Sequence, residues 1–208
     1  MRVATLVYVY GAAALWSTIG VIAKLGFESG GSPLGTALAR FLFAALAALC
    51  FCCAAGESAR RVLLSRDASL LGLTVVGPLG YAYMVSVERS GVALAVALLY
   101  TAPTWVAALQ PVLYRRRPEP PEILAAALSV LGVLLLYHPR KWTVGAAGLV
   151  SGLASGLFYA LLIVFSKVLL DRPGARGEIA RAAAAVAVQG WAFPGLLLAA
   201  IVAGAGLR

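Results

Sequence analysis

Trp16-Ser-Thr-Ile-Gly-Val-Ile-Ala-Lys24 and Tyr159-Ala-Leu-Leu-Ile-Val-Phe-Ser-Lys167 carry one pattern twice: an aromatic residue, seven intervening residues and a lysine, inside otherwise apolar stretches. Arg40 follows the first copy and Arg181 the second. A duplicated membrane unit is the sequence mark of a secondary transporter. Five apolar spans fit between the start of the first copy and the start of the second, whereas the second has room for two before Arg208.

The composition around these copies leaves one class open. With 62% apolar and 12% charged residues in 208, the chain carries more apolar surface than a soluble core of that length can hide, which makes it a membrane protein. A span needs about 20 apolar residues. Seven stretches qualify, at 3–23, 34–55, 70–87, 92–114, 123–137, 144–165 and 182–206, the fifth being short. All eight acids (Glu28, Glu57, Asp67, Glu88, Glu119, Glu122, Asp171 and Glu178) fall at or between the ends of these spans, as the cost of a charge in lipid requires. The run after Arg2 is longer than the core of a secretory signal, so it reads as an uncleaved first helix.

A net charge of +9 raises the question of nucleic acid, but the cations cluster in alternate loops. That is the pattern of positive-inside orientation and not of a nucleic-acid surface. Placing the N-terminus in the cytoplasm puts Arg2, Arg60, Arg61, Arg66, Arg115, Arg116, Arg117, Lys167, Arg172, Arg176 and Arg181 inside. Lys24, Arg89, Arg140, Lys141 and Arg208 then lie outside, with Arg40 within the second span. Cys50, Cys52 and Cys53 sit at the cytoplasmic end of that span, where thiols stay reduced, and no His or carboxylate pair accompanies them as a metal site would need.

Membrane helices associate through small residues at four-residue spacing. Gly148, Gly152 and Gly156 form such a stripe in the sixth span, and Ala93, Ala97 and Thr101 another in the fourth; both are expected to pack against neighbours. Prolines at 78, 103, 111 and 194 interrupt apolar runs, and broken turns survive in a membrane only where protein or water covers them. Around Pro103, the segment Tyr100-Thr101-Ala102-Pro103-Thr104-Trp105 is polar and aromatic, and a lipid-facing helix has no use for it. Tyr100, Thr101, Thr104 and Trp105 are therefore expected to line a cavity, together with Trp16, Tyr159 and Tyr81. Tyr81 and Tyr83 diverge around the helix, so both cannot face it squarely, and tyrosines near span ends also serve as interface anchors.

In Ala12 to Lys24 (AAALWSTIGVIAK), Ser32-Pro33 with Ala39-Arg40-Phe41, Gly80-Tyr81, Gly91 to Pro103 (GVALAVALLYTAP) and Ala127 to Leu136 (ALSVLGVLLL), the chain resembles the drug/metabolite transporter superfamily with its EamA-like repeat. The resemblance implies an all-α membrane protein of about seven helices. One complete five-helix repeat would cover residues 3–138, and the first two helices of an inverted second repeat would fill 144–208. It also implies a mid-membrane solute cavity between repeats that rock in alternating access. Family members carry a glutamate about where this chain has Arg116, so any role of that acid is absent or moved to Glu119.

Proton coupling uses an intramembrane carboxylate or histidine. No span interior holds one, and the lone His138 falls at the end of the fifth span. Facilitated export of small organic solutes or metabolites, amino acids or amphipathic compounds, is expected, or coupling through a boundary acid such as Glu88 or Glu28. Arg40, repeated as Arg181, is read as a structural charge fixed to neighbouring carbonyls, the other reading being a partner for a substrate carboxylate. No catalytic residues, metal ligands or cofactor are expected, because Ser17, Ser151 and Ser155 have no base at membrane depth. The last span also lacks the lysine that a retinal protein needs. The expected partners are the bilayer, a small-molecule substrate, and a homodimer mate or a separate chain supplying missing helices, with no nucleic acid. The expected location is the cell membrane. The competing expectation is a truncated or split transporter, inactive alone or active only as an oligomer or with a partner chain.

Overall fold

A computed structural model describes residues 3–136, 145–170 and 178–204. His138, Arg140, Lys141, Asp171, Arg172, Arg176, both chain ends, the ends of the fifth and seventh expected spans and the first residue of the sixth lie outside the described residues.

Every described element is helical, and the chain is an all-α membrane protein. Lipid offers backbone N–H and C=O groups no partner, so a spanning segment must satisfy them within itself. Helix α1 (Val3–Glu28) leads into α2 (Pro33–Ala55), which opens where the Ser32 hydroxyl accepts from the Gly35 amide at 3.1 Å and Pro33 fills the first turn. Gly56, with φ of 79°, ends α2 in a conformation that suits glycine, and the stretch expected as a loop forms a short helix, α3 (Glu57–Leu63). Ala59 and Val62 bury one side of α3, while Arg61 pairs outward with Glu57 at 2.6 Å.

Helix α4 (Arg66–Leu71) continues through a π-helical turn, Gly72–Val76, into α5 (Gly77–Ser90), so the third span runs from Arg66 to Ser90. Pro78 explains the widened turn. It has no N–H to donate and its ring crowds the carbonyl four residues back, and a π turn just before it relieves both. The fourth span is broken outright: α6 (Val92–Leu99) stops, Tyr100 and Thr101 form a turn, and α7 (Ala102–Tyr114) restarts with Pro103 in its first turn. Helix α8 (Pro120–Leu136) follows, then α9 (Ala146–Leu170) and α10 (Glu178–Val202). Among the described residues six helical stretches are long and apolar enough to cross a membrane. The fifth of the seven expected spans corresponds to α8, whose 17 residues reach about 26 Å, less than the roughly 30 Å of hydrocarbon.

Packing falls into two groups. Helix α10 lies against α2, α3, α4 and the π turn, and α9 lies against α5, α6 and α7, with α8 beside α7 and α1 at the edge. Glycines set the closest approaches. A Cβ on Gly72 would stand 2.5 Å from the Trp191 Cβ and 2.6 Å from the Val188 carbonyl oxygen, so only a glycine lets α10 seat here. The Trp191 indole N–H then donates to the Leu63 carbonyl at 2.7 Å, satisfying an orphan carbonyl at the end of α3. The expected stripe on α9 is used in full: Gly148 faces Arg89 and Ser90, Gly152 faces Ser86 and Leu98, and Gly156 faces Leu98 and Thr101. The Ser86 hydroxyl donates to the Gly148 carbonyl at 3.1 Å across this contact. The second expected stripe is used in part, Thr101 being buried against α9 and Ala97 half-buried. Ala93 is exposed, and α6 packs instead through Leu94, Ala95 and Leu98.

Leu15, Val21, Ile22 and Leu25 of α1 and Leu124, Leu128, Leu131 and Leu135 of α8 are exposed, as lipid-facing side chains are. At the α7–α8 junction Arg115 adopts a left-handed conformation with φ of 50° and closes α7. Glu122 accepts from the Glu119 amide at 2.7 Å, from Gln110 at 2.9 Å and from Arg116 at 2.8 Å, and these donors, the Glu119 amide foremost, hold its carboxyl below the ordinary carboxylate range.

Candidate functional site

A cavity of about 560 Å³ opens where α1, α2, α5, α6, α9 and α10 meet. Helix α1 contributes Ala12, Ala13, Trp16, Ser17 and Ile19; α2 contributes Arg40 and Phe41; Val76, Leu79, Gly80 and Tyr83 come from the third span. Val96, Leu99 and Tyr100 come from α6 and its broken end, Tyr159 and Leu162 from α9, and Gln189 from α10. The wall is aromatic and aliphatic, with a few polar tips, which is the make-up of a small-molecule site.

The local sequence explains each position. Gly80 leaves no Cβ where the Phe41 ring lies, so that ring is fully buried between α2 and α5. It supports the neighbouring arginine: the Arg40 guanidinium carbon stands 5.2 Å from the Phe41 ring centroid. Gly20 brings α1 against Tyr83 and Val92, which sets Trp16 one turn earlier on the cavity side. Trp16 and Tyr159, the paired aromatics of the two copies, meet with ring centroids 6.4 Å apart and planes inclined at 45°.

Of the seven cavity candidates read from the sequence, the structure brings Trp16, Tyr100 and Tyr159 to this wall. It places the other four elsewhere. Tyr81 is 41% exposed on the other side of α5, and its neighbour Tyr83, which is buried, lines the cavity. Thr101 is buried in the α6–α9 contact, its hydroxyl donating to the Leu98 carbonyl at 2.7 Å. The Thr104 hydroxyl turns to α8, 3.2 Å from the Ala126 carbonyl and 2.9 Å from the Ser129 hydroxyl. Trp105 is half-buried and outside the lining. The two arginines of the sequence echo also part company: Arg40 lines the cavity, whereas Arg181 is exposed near the start of α10.

Ser17, Tyr83 and Gln189 are polar lining residues that were not among the candidates read from the sequence. A glutamine within an apolar span is itself a signal, since a polar amide is costly in lipid and marks an inward face. The broken turn adjoins the site. Pro103 cannot donate to the Leu99 carbonyl, Leu99 lines the cavity, and Gly156 lets α9 come within reach of the Leu98 and Leu99 carbonyls. No acidic residue lines the cavity, and no group of three or more His, Cys, Asp or Glu that could hold a metal occurs among the described residues.

Apolar helices with a side-open aromatic cavity at their meeting point define a multi-pass membrane protein with a solute-sized internal site. The chain belongs to the EamA-like transporter family, which its residues 3–138 match. It is 35% identical over 156 residues to an uncharacterized transporter of Archaeoglobus fulgidus, covering 74% of this chain and 53% of that protein. It is 30% identical over 197 residues to the uncharacterized inner membrane transporter YicL of Salmonella typhimurium, covering 90% of this chain and 62% of that one. A shorter match of 29% over 91 residues joins it to an uncharacterized transporter of Helicobacter pylori, 43% of this chain and 30% of the relative. The chain thus spans little more than half the length of the first two relatives. No solved structure gives a significant match.

Proposed function

We propose that the protein is a cell-membrane transporter that exports small organic solutes or metabolites, amino acids or amphipathic compounds, by alternating access, with the cavity as its solute chamber. The observation that carries this reading is the ring contact of Trp16 with Tyr159. Equivalent residues of the two copies meet at one wall of a solute-sized cavity, as they do when two repeats are related by an axis through the site. Residues 3–138 are then the first five-helix repeat, and 144–208 supply two helices of an inverted second. The cations of alternate loops support an N-terminus in the cytoplasm. The broken α6–α7 turn beside the cavity supplies a place where one helix half can tilt against the other as access changes sides.

The purified chain in liposomes preloaded with a panel of labelled amino acids and aromatic metabolites tests the reading. Efflux of at least one solute above protein-free vesicles, lowered about tenfold or more by Tyr159→Ala through loss of one aromatic contact face, is the expected result. Absence of efflux for every solute contradicts it as a property of the chain alone.

A second reading, action only as an oligomer or with a partner chain, has its own observation. Trp16 is 49% and Tyr100 57% exposed although both line the cavity, so one side of the chamber stands open to a further helix surface. Light scattering of the detergent-free nanodisc complex, giving one chain per disc in the transporting preparation, would contradict the oligomer form of this reading.

A further inference from the structure

We propose that the chamber selects organic anions: a small solute whose carboxylate is held by Arg40 while its apolar body lies against Trp16, Tyr100 and Tyr159. The inference rests on the cavity being the solute chamber and names what it takes. Among the described residues Arg40 is the one charged residue in the cavity lining. The remaining polar lining groups, including Gln189, Ser17 and the tyrosine hydroxyls, are neutral. Among the described residues Arg40 makes no ion pair and no hydrogen bond; its guanidinium lies over the Phe41 ring and within electrostatic reach of the neutral Tyr83 hydroxyl.

A guanidinium presents five N–H donors in a planar fork that matches a carboxylate in two parallel bonds. Leaving those donors without acceptors inside an apolar wall is costly, and an anionic ligand removes that cost where a neutral or cationic one does not. A scaffold role for Arg40 predicts bonds to neighbouring carbonyls, and none is made among the described residues. Nor does the repeat of the residue argue for a shared scaffold duty, since Arg181 is exposed and away from the cavity. Gly80 is a positioning residue here: its missing Cβ seats the Phe41 ring against which the guanidinium lies. The same anionic oxygens occur on a lipid phosphate that could enter through the open side, so the test separates a dissolved carboxylate from a headgroup.

Three labelled probes of one body and different charge, phenylacetate, phenylacetamide and phenethylamine, are measured by equilibrium binding to the full chain in phosphatidylcholine nanodiscs. The expected result is phenylacetate bound about tenfold or more tightly than phenylacetamide, the size of one charge-assisted bond pair, with phenethylamine weakest. Arg40→Gln abolishes the phenylacetate preference, so that phenylacetate and phenylacetamide bind within about threefold of each other, both still held by the aromatic wall. Arg40→Lys keeps the sign of the preference but reduces it several-fold, and it serves where Arg40→Gln does not fold. Retention of the full preference in either variant overturns the anion site while leaving the chamber reading in place. Equal or tighter binding of phenethylamine also overturns it. Loss of phenylacetate binding when phosphatidylglycerol is added assigns the site to a lipid headgroup and overturns the solute form. Absence of binding by all three probes overturns the chamber and the anion site together.

Discussion

Trp16 and Tyr159 stand 143 positions apart in sequence, at the same place in each copy of the repeated pattern, and their rings meet at 6.4 Å beside the cavity. The contact is both a packing pair and part of a binding wall. A double-mutant cycle of Trp16→Ala and Tyr159→Ala, read by unfolding in mixed micelles, should give a coupling energy of about 0.5–1.5 kcal/mol. Additive effects would mean that the rings do not meet in the membrane.

The α9 glycines make a sharper prediction. A Cβ on Gly156 would lie 2.7 Å from the Leu98 carbonyl oxygen and 2.5 Å from the Thr101 hydroxyl, and backbone cannot move aside cheaply. Gly156→Ala should cost about 1–3 kcal/mol of stability by overpacking. Gly132→Ala in α8, where a Cβ meets nothing within 4 Å, should be neutral or stabilising by up to about 1 kcal/mol. The pair measured in one unfolding series checks the helix arrangement around the broken turn.

Trp191 gives an independent check on the other packing group. Trp191→Phe keeps an aromatic ring beside Gly72 but removes the bond to the Leu63 carbonyl, and should cost about 1–2 kcal/mol. Hydrogen exchange should rise at α3 and leave α9 unchanged.

The pH response of the α7–α8 junction follows from Glu122. Its folded pKa lies below the unfolded value, so its bonds stabilise the junction fully above the unfolded carboxylate range and are lost as pH falls through the folded value. Hydrogen exchange at the start of α8 should therefore rise as pH falls below the ordinary carboxylate range. Glu122→Gln should lack this transition, having no charge to lose.

Coupling can be tested at the boundary acids. Glu88 is exposed beside Arg89 at 3.1 Å, Glu28 lies 3.8 Å from Lys24, and neither lines the cavity. Efflux from the liposomes should then be independent of a pH gradient. A gradient dependence that Glu88→Gln abolishes would replace facilitated export with proton coupling.

The sequence shows some of these features and hides others for physical reasons. Span positions are legible because lipid penalises charge so strongly that the acids alone bracket the helices. The α9 glycine stripe is legible because close membrane packing demands small residues. Which face of a helix looks inward is not, wherever the helix is irregular. The π turn at Gly72–Val76 shifts the register of all that follows, and Tyr83 rather than Tyr81 reaches the cavity. The break at Tyr100–Thr101 re-aims α7, so Thr104 meets Ser129 although a continuous helix would keep it on the face of Tyr100. The surroundings of Arg40 depend on Gly80 and Phe41 meeting across two helices, a contact between distant residues that no local pattern announces.

A transporter of this kind must hold its solute in this cavity. The direct measurement is maleimide labelling of a single cysteine at Tyr100→Cys, in a background with Cys50, Cys52 and Cys53 changed to alanine, with and without the solute panel used for efflux. Labelling should slow when solute is present, while labelling of Leu124→Cys on the outer face of α8 should not change. Equal rates at Tyr100→Cys with and without solute would contradict the account.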